Sequence, residues 1–176
     1  MLDHAAIPGR HAIALRKDDL YETPEWVTEA LLPHLPDSSL DIWEPACGSG
    51  KMARALSEGT PHIVKATDIK SGTDFLCQDI RTQWIITNPP YKMAVEFIEH
   101  ALLLADHVAM LLRTDFDHAK TRQYLFGDAV GLFAKKIVLT KRIRWFEDSK
   151  GSPSFNHAWF IWSHAHKGPP TLAYGP

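Results

Sequence analysis

Short apolar runs alternate along this chain with segments of helical period, and the alternation predicts an α/β fold. The apolar runs that indicate strands lie at residues 40–44, 62–67, around 75–76, and at 84–87, 107–112, 133–139, 142–146 and 158–162. Strands that alternate with helices are typical of a parallel sheet, and the runs near the carboxyl terminus indicate an antiparallel hairpin at one edge.

Helical signals lie between several of these runs. Thr23 is predicted as an N-cap, with Pro24 at the first helical position and Glu25 at the positive end of the helix dipole. A helix is also predicted over residues 51–58, another over 93–105, where the apolar positions share one face, and a short one over 120–126. We expect an arm at 1–19, one domain at 20–165 and a loose tail at 166–176.

Composition limits the classes of protein that need to be considered. The chain has 176 residues, is 45% hydrophobic and carries a formal net charge of −2, which fits one soluble domain. No apolar run is long enough to span a bilayer and no signal peptide is evident, so we expect a cytoplasmic protein without membrane contact. Neither the histidines nor Cys47 and Cys77 show metal-ligand spacing, so no metal is predicted.

The turn after the first predicted strand has the composition of a ligand-binding loop. It reads Glu-Pro-Ala-Cys-Gly-Ser-Gly over residues 44–50, and a helix follows. Gly48 and Gly50 permit a positive φ and a close approach of a ligand to the backbone. The loop lacks the glycine pattern of dinucleotide sites and the lysine of phosphate-binding loops, so we expect a nucleoside-like ligand without a polyphosphate. A tight turn with no ligand is the alternative.

Acidic residues follow the next predicted strands. Asp68 ends the second strand, where a carboxylate can accept both hydroxyls of a ribose, and Ile69 can lie against a purine. Asp74 offers an acceptor to an exocyclic amine beside the aromatic wall of Phe75, and Asp79 is a rival for that role. Because ligands of open α/β sheets lie beyond the carboxyl ends of the strands, these groups can share one site.

The sequence Asn88-Pro89-Pro90-Tyr91 follows the apolar run at 84–87. The two prolines fix the backbone, and the residue before a proline is held extended. A polar amide, rigid carbonyls and a large aromatic ring at a strand's carboxyl end suit the binding of a flat group that bears an amine. A proline-rich turn with no such role is the alternative.

In this order the segments resemble the S-adenosylmethionine-dependent amino-methyltransferases, specifically the adenine-N6 class. The resemblance extends over residues 21–162, and its motif order is similar to the gamma arrangement and to small phage-type enzymes. It implies a Rossmann-like class I methyltransferase fold, with a seven-stranded, mostly parallel sheet and an antiparallel carboxyl-terminal hairpin. The residues that it assigns to S-adenosyl-L-methionine are Thr23, Glu44, Ala46, Cys47, Gly48, Gly50, Asp68, Ile69, Asp74 and Phe75.

The same resemblance implies methylation of adenine N6 in DNA. Asn88 and the Pro89 carbonyl would each accept one hydrogen of the amine, Pro90 would hold the loop rigid, and Tyr91 would stack on the base. Lys92 and Phe155 are the further predicted substrate contacts, with ordinary core packing as the alternative for Phe155. His157 is predicted as a structural hydrogen-bonding residue rather than as a catalyst.

Two surface segments are candidates for nucleic-acid contact. Residues 113–118 form a plausible substrate-facing loop after the fifth strand. A basic segment either follows phosphates or forms a solvated strand face, and its members are Lys135, Lys136, Lys141, Arg142 and Arg144.

The chain departs from restriction-type enzymes because it has no room for a sizeable target recognition domain. This indicates loose specificity, a small recognition loop, a single-stranded or structured target, or a partner subunit or second copy that supplies recognition. DNA is the favoured substrate. RNA and a protein glutamine amide are the alternatives within the enzyme class, and a catalytically silent binding subunit is the alternative outside it.

Overall fold

A seven-stranded mixed sheet forms the middle of the molecule. The structure is a computed structural model, and it describes residues 21–127, 131–145 and 155–176. The predicted arm at 1–19 and Phe146 therefore lie outside the described residues. The strands are β1 (Asp41–Glu44), β2 (Ile63–Ala66), β3 (Thr82–Thr87), β4 (Ala105–Arg113), β5 (Phe133–Leu139), β6 (His157–Ser163) and β7 (Thr171–Gly175).

The strand order is β2-β1-β3-β4-β6-β5-β7. The first four strands of this order are mutually parallel, as the sequence predicts. β6 lies between β4 and β5 and is antiparallel to both, so the predicted antiparallel hairpin is confirmed. The fold is therefore the predicted α/β class with a mostly parallel, Rossmann-like sheet.

Helices cover the sheet because its central strands are apolar on both faces. The helices are α1 (Glu25–Glu29), α2 (Lys51–Ser57) and α3 (Ala94–Leu104). Along β3, Trp84 and Ile86 pack into one core cluster and Ile85 packs into the other, as the alternation of side chains along a strand requires. The indole of Trp159 on β6 donates to the Val27 carbonyl over 2.8 Å, which fastens α1 to its face of the sheet.

Two predicted strands are wrong, and a short predicted helix is present but is of the 3-10 type. The strand predicted around 75–76 is a 3-10 helix, Phe75–Cys77, because the Asp74 carboxylate accepts the Leu76 N–H over 3.1 Å and starts a turn there. The helix predicted at 120–126 is also a 3-10 helix, Lys120–Leu125. Residues 142–145 form no strand, although Ile143 is buried as a strand residue would be.

The carboxyl-terminal tail also differs from the prediction. Its glycines and prolines predict a loose segment, but Thr171–Gly175 forms β7, which pairs in parallel with β5. Backbone pairing with β5 stabilises this strand, and such pairing makes little demand on the side chains, so the composition does not reveal it. β7 thus becomes the seventh strand, since the runs predicted around 75–76 and at 142–145 form none.

The amino-terminal end of α1 also differs from the prediction. Pro24 occupies the N-cap position with φ −60° and ψ 147°, and no side chain caps the helix. Thr23 lies one residue earlier, where its hydroxyl is buried and accepts a hydrogen bond from Asn88 instead. The predicted cap is therefore a residue of the site at the sheet edge.

Candidate active site

A cavity of about 220 Å³ lies at the carboxyl ends of β1, β2 and β3. The segment before α1 and the first turn of α3 close its sides. Its lining residues are Tyr21, Glu22, Thr23, Glu44, Pro45, Ala46, Cys47, Gly48, Ser49, Lys51, Met52, Asp68, Ile69, Lys70, Thr73, Asp74, Phe75, Asn88, Pro90, Met93 and Phe97. All of the residues predicted to bind the cofactor are among them except Gly50.

The glycine loop connects β1 to α2 with two left-handed residues. Gly48 has φ +54° and Gly50 has φ +85°, a region that side-chain-bearing residues rarely adopt. A Cβ atom at Gly48 would meet nothing within 4 Å, so the backbone there faces open space at the cavity. Gly50 lies at the N-cap of α2 and holds the turn by donating its N–H to the Cys47 carbonyl over 2.8 Å.

Asp68 fastens the glycine loop to the end of β2. One of its carboxylate oxygens accepts the Gly48 N–H over 2.9 Å, and the other accepts the Lys70 N–H over 2.8 Å. These bonds fix the carboxylate in the cavity wall, and each oxygen retains a second lone pair. The carboxylate is thus held in position to accept hydroxyl groups from a ligand.

Asp74 and Phe75 form another part of the wall. The Asp74 carboxylate accepts the Leu76 N–H, and the Cys77 thiol lies 3.5 Å from its second oxygen. Phe75 is 1% exposed and packs edge-on against Trp43, with ring centroids 5.2 Å apart. Asp79, the rival for the role of Asp74, is exposed and is not among the lining residues.

Glu44 places a carboxyl group in the cavity where water is excluded. It is 2% exposed, and its Oε2 has no hydrogen-bond partner within the described ranges. The pKa of Glu44 is raised to about 8, chiefly because the carboxyl group is buried; a hydrogen bond with the Ala53 backbone opposes this rise, and the neighbouring Asp68 carboxylate adds to it. Near neutral pH the group is therefore mostly protonated in the ligand-free protein.

Asn88 is oriented by the segment that precedes α1. Its Nδ2 donates to the Tyr21 carbonyl over 3.2 Å and to the Thr23 hydroxyl over 3.3 Å. A carbonyl can only accept, so this contact fixes which end of the amide is nitrogen. The Oδ1 is consequently turned away from Tyr21. It is buried and has no hydrogen-bond partner among the residues that the structure describes.

The prolines carry the chain from β3 into a 3-10 turn, Tyr91–Met93. Pro89 is buried, and the Pro90 carbonyl accepts the Met93 N–H over 2.8 Å, which fixes the exit of the loop. Tyr91 lies outside the cavity wall, and its hydroxyl is 3.0 Å from Nε2 of His157. Lys92, the next predicted contact, is exposed to solvent.

An aromatic cluster surrounds residues 88–91, which we call the catalytic loop after its predicted role. The ring of Tyr21 lies 5.7 Å from that of Tyr91 and 5.2 Å from that of Trp145, and Trp145 meets His157 edge-on at 5.1 Å. His157 is 2% exposed, and burial lowers its pKa to about 4, so it is neutral at physiological pH. Its contact with Tyr91 agrees with the predicted structural role.

Several residues of the site were missed by the sequence analysis. Tyr21 lies two residues before Thr23, and its aromatic side chain close to the Thr23–Pro24 motif was an available signal. Phe97 and Met93 begin the apolar face of α3, which sequence reasoning assigns to the core alone. Glu22 and Lys51 form an ion pair of 2.6 Å in the cavity lining, a contact that sequence spacing does not reveal.

The predicted substrate contact Phe155 and the predicted phosphate contact Lys136 do not line the cavity that holds Asn88. Phe155 is 50% exposed, so the alternative of ordinary core packing is wrong, and it is not part of the cavity that holds Asn88. Lys136 is turned inward, where its Nζ bonds the Thr114 carbonyl and Asp117 over 2.8 Å each. Lys136 therefore cannot follow phosphates, whereas Arg142 and Arg144 of the same basic segment are exposed.

The described residues include neither a metal site nor a membrane-spanning helix. No group of histidine, cysteine, aspartate or glutamate side chains in the described ranges could hold a metal ion. No described helix is long and apolar enough to cross a membrane.

Comparison with solved structures relates the fold to methyltransferases. A proposed class I S-adenosylmethionine-dependent methyltransferase from Listeria monocytogenes superimposes with a TM-score of 0.61 at 13% identity, over 94% of this chain and 69% of that one. A proposed RNA methyltransferase from Pyrococcus horikoshii gives a TM-score of 0.59 at 11% identity, over 81% and 86% of the two chains.

A DNA-modifying neighbour is larger than this chain. The methyltransferase subunit of a type I restriction-modification system from Streptococcus thermophilus gives a TM-score of 0.59 at 15% identity, over 88% of this chain but 47% of that one. The chain thus spans about half the length of this subunit. No family model matches the chain, and no curated protein matches its sequence. At these identities the likeness shows the class I methyltransferase fold alone.

Proposed function

We propose that this protein is an S-adenosylmethionine-dependent methyltransferase that modifies the exocyclic N6 amine of adenine in DNA. The observation that carries the proposal is the Asn88 amide. Its nitrogen is held by the Tyr21 carbonyl, which leaves a buried oxygen without a partner among the described residues, in a side chain that lines a cavity of the class I fold. A buried acceptor left unpaired is costly, and such groups concentrate at functional sites.

The chemistry of the cavity fits the proposed cofactor. Asp68 would receive the ribose hydroxyls, Asp74 and Phe75 the adenine ring, and Thr23, Ala46, Cys47 and the glycine loop the methionine end. Glu44 presents an oxygen that has no partner among the described residues, and burial raises the pKa of its carboxyl to about 8, so a cationic group placed there would be stabilised by ionisation of the carboxyl. When bound, S-adenosylmethionine supplies a methyl group activated by a sulfonium.

The catalytic loop would prepare the amine by hydrogen bonding. The nitrogen lone pair of adenine is delocalised into the ring, which makes the amine a poor nucleophile. Asn88 Oδ1 accepts one hydrogen and the Pro89 carbonyl the other, and two fixed acceptors favour a pyramidal nitrogen whose lone pair is available. Pro90 keeps the loop rigid, Tyr91 stacks on the base, and Lys92 contacts the same strand. No strong base is required, since the amine loses its proton after the transfer.

The same set of groups would serve adenine in RNA. The neighbour from Pyrococcus horikoshii is a proposed RNA methyltransferase, which keeps RNA as the second candidate substrate. A duplex target would have to be flipped out of its stack before it reached Asn88. We also propose that selection among target sequences comes from a partner subunit or a second copy.

Incorporation of labelled methyl groups tests the proposal directly. The purified protein is incubated with labelled S-adenosylmethionine and, separately, with adenine-containing DNA, the same sequence as RNA, and a protein mixture. Digestion of the product is expected to give labelled N6-methyl-2′-deoxyadenosine from the DNA. Label found only in RNA would change the assigned substrate from DNA to RNA. Label found only in cytosine or in protein, or no label at all, would overturn the adenine proposal.

A further inference from the structure

A second cavity, of about 140 Å³, lies on the same edge of the sheet as the catalytic loop. Arg113 at the end of β4 and the following residues Thr114 and Asp115 contribute to it, the segment before β6 contributes Phe155 and Asn156, and Arg142 completes the described lining. None of these residues lines the cavity that we assign to the cofactor. We call this cavity the flanking groove.

A flat surface occupies one wall of the flanking groove. The guanidinium carbon of Arg113 lies 3.8 Å from the centre of the Phe155 ring, and Asp115 holds that guanidinium through bonds of 3.1 Å and 2.7 Å. The arginine thus covers one face of the ring and its charge is offset by the aspartate. Because Phe155 is 50% exposed as a residue, part of its surface is available for stacking.

The other wall of the groove carries positive charge. Arg142 donates from Nε to the Asn156 side-chain oxygen over 2.8 Å, and the Asn156 carbonyl accepts the Thr114 N–H over 3.0 Å. Asn156 is therefore fixed to β4 through its backbone and orients the exposed guanidinium of Arg142. Arg113, Asp115 and Arg142 are the charged residues that the described part of the chain contributes to the lining. A planar surface beside one exposed cation matches a nucleotide, which has a flat base and one phosphate.

The position of the groove relates it to the catalytic loop. Arg113 and His157 are register partners across β4 and β6, and the His157 ring is hydrogen-bonded to the Tyr91 hydroxyl over 3.0 Å. Phe155 lies two residues before His157, so their backbones are at most about 7 Å apart along the chain. The groove is thus next to the base-stacking residue but separate from Asn88, which suits a neighbour of the target rather than the target itself.

We infer that the flanking groove binds the nucleotide adjacent to the target adenine. Its base stacks on the open face of Phe155, with Arg113 behind the ring, and its phosphate contacts Arg142. A base whose face is available for this stacking is not stacked on its neighbours, so the strand enters the groove unpaired at that position. The inference rests on the proposed function, because it requires a nucleic-acid strand whose adenine occupies the catalytic loop.

Equilibrium binding of a short single-stranded DNA tests the inference. The probe carries one adenine within a pyrimidine tract and a terminal fluorophore, and its anisotropy is measured in the presence of the cofactor product. Phe155→Ala is expected to weaken binding about 5- to 150-fold, the factor that corresponds to loss of one base–aromatic stack, while Phe155→Trp retains affinity. Tyr174→Ala, which removes an aromatic side chain with 68% exposure on β7, is the matched control and should bind as the unaltered protein does.

The charge is tested by salt dependence. Arg142→Gln should decrease the slope of log affinity against log salt by about 0.7, the value for one phosphate contact on a single strand. Phe155→Ala should leave that slope unchanged. Lys167→Gln, which removes an exposed positive charge near β7, provides the control for the charge lost.

An abasic nucleotide on either side of the adenine identifies the stacked base. In the unaltered protein one of the two abasic probes should bind more weakly, by the same factor as Phe155→Ala with the intact probe. In Phe155→Ala that abasic probe should show no additional loss, because the two changes remove one contact. Additive losses, or a Phe155→Ala variant that binds the intact probe normally, would overturn the inference.

The two proposals fail in distinguishable ways. If the unaltered protein methylates adenine but Phe155→Ala binds DNA normally, only the flanking groove is wrong. If the unaltered protein binds neither DNA nor RNA and instead methylates a protein amide, both are wrong.

Discussion

The two cavities at the carboxyl edge of the sheet are built in opposite ways. The larger one is formed by loops that directly follow β1, β2 and β3, and backbone N–H groups of these loops are bonded by Asp68 and Asp74. The flanking groove is formed by side chains that are distant in sequence, and Phe155, its central aromatic residue, is 50% exposed. The larger cavity is thus ordered by its own hydrogen bonds. The flanking groove instead offers exposed surfaces that a binding partner would cover.

The catalytic loop lies between these two regions and shares features of both. Asn88 lines the larger cavity, while Tyr91 is bonded to His157 on the side of the flanking groove. The Asn88 Oδ1 has almost no surface open to solvent. A target amine therefore reaches it only when neighbouring side chains move, so we expect the loop to be pre-oriented on the cofactor side and to adjust on the target side.

Replacement of Asn88 by alanine should have the largest effect on catalysis. Loss of one preorganised hydrogen-bonding group in a water-excluded site typically lowers kcat about 100- to 1,000-fold, and we expect a loss of this size in single-turnover methyl transfer. Cofactor affinity, measured by calorimetry, should change little, because the lost acceptor faces the target.

A matched variant separates the acceptor from its support. Thr23→Val removes one of the two groups that hold the Asn88 nitrogen but leaves the Tyr21 carbonyl in place, so its effect on kcat should be much smaller. Equal losses in the two variants would mean that the bonds of the nitrogen, rather than the free oxygen, determine the rate. That result would remove the main support for the proposed chemistry.

Asp68→Ala should affect cofactor binding in the larger cavity rather than the chemistry at the catalytic loop. Its carboxylate bonds the Gly48 and Lys70 amides, and hydrogen bonds to charged groups contribute about 1.5–3 kcal/mol. We expect cofactor affinity to fall about 10- to 100-fold while kcat at saturating cofactor stays near its original value. Asp41→Ala, at an exposed position on β1, serves as the control. Unchanged cofactor affinity in Asp68→Ala would contradict the assignment of this cavity.

The position of several residues that line the larger cavity could be predicted from the sequence because these residues lie in short segments after a strand or apolar run. The loop at 44–50, Asp68 and Asp74 each follow an apolar run, and the end of a strand in a parallel sheet determines where its next residues lie. The same rule predicted Asn88 at the edge. Local sequence therefore contained both the residue type and its position.

The target side could not be predicted in the same way because it depends on contacts between distant segments. Tyr21 meets Trp145, Arg113 meets Phe155, and no periodicity relates them. β7 likewise depends on backbone pairing with β5, which its composition does not indicate. The error at 75–76 has a local cause, since the Asp74 side chain competes for a backbone N–H and starts a turn.

Glu44→Gln tests whether the buried carboxyl of the cofactor side is neutral without ligand. The folded-state pKa of about 8 lies above that of an unfolded glutamate, so stability is greatest below the unfolded pKa and is lost as the pH rises through the folded one. Between about pH 6 and pH 8 the free energy of unfolding of the original protein should fall by about 2 kcal/mol relative to Glu44→Gln. Urea titrations at several pH values measure this difference, and a constant difference would show that Glu44 is already ionised.

The smallest effect is expected at the junction of the two regions, from Tyr91→Phe. This change keeps the ring for stacking but removes the hydroxyl that bonds His157, a contact of about 0.5–1.5 kcal/mol, so kcat/KM should fall only about 2- to 10-fold. Tyr91→Ala, which removes the ring as well, should cost substantially more in the same steady-state assay. Burial lowers the pKa of His157 to about 4. When kcat/KM of the two variants is measured against pH, neither curve should therefore show an inflection near neutral pH that belongs to this histidine. If Tyr91→Phe were as impaired as Tyr91→Ala, the hydroxyl would take part in the chemistry, and the loop would do more than hold the plane of the base.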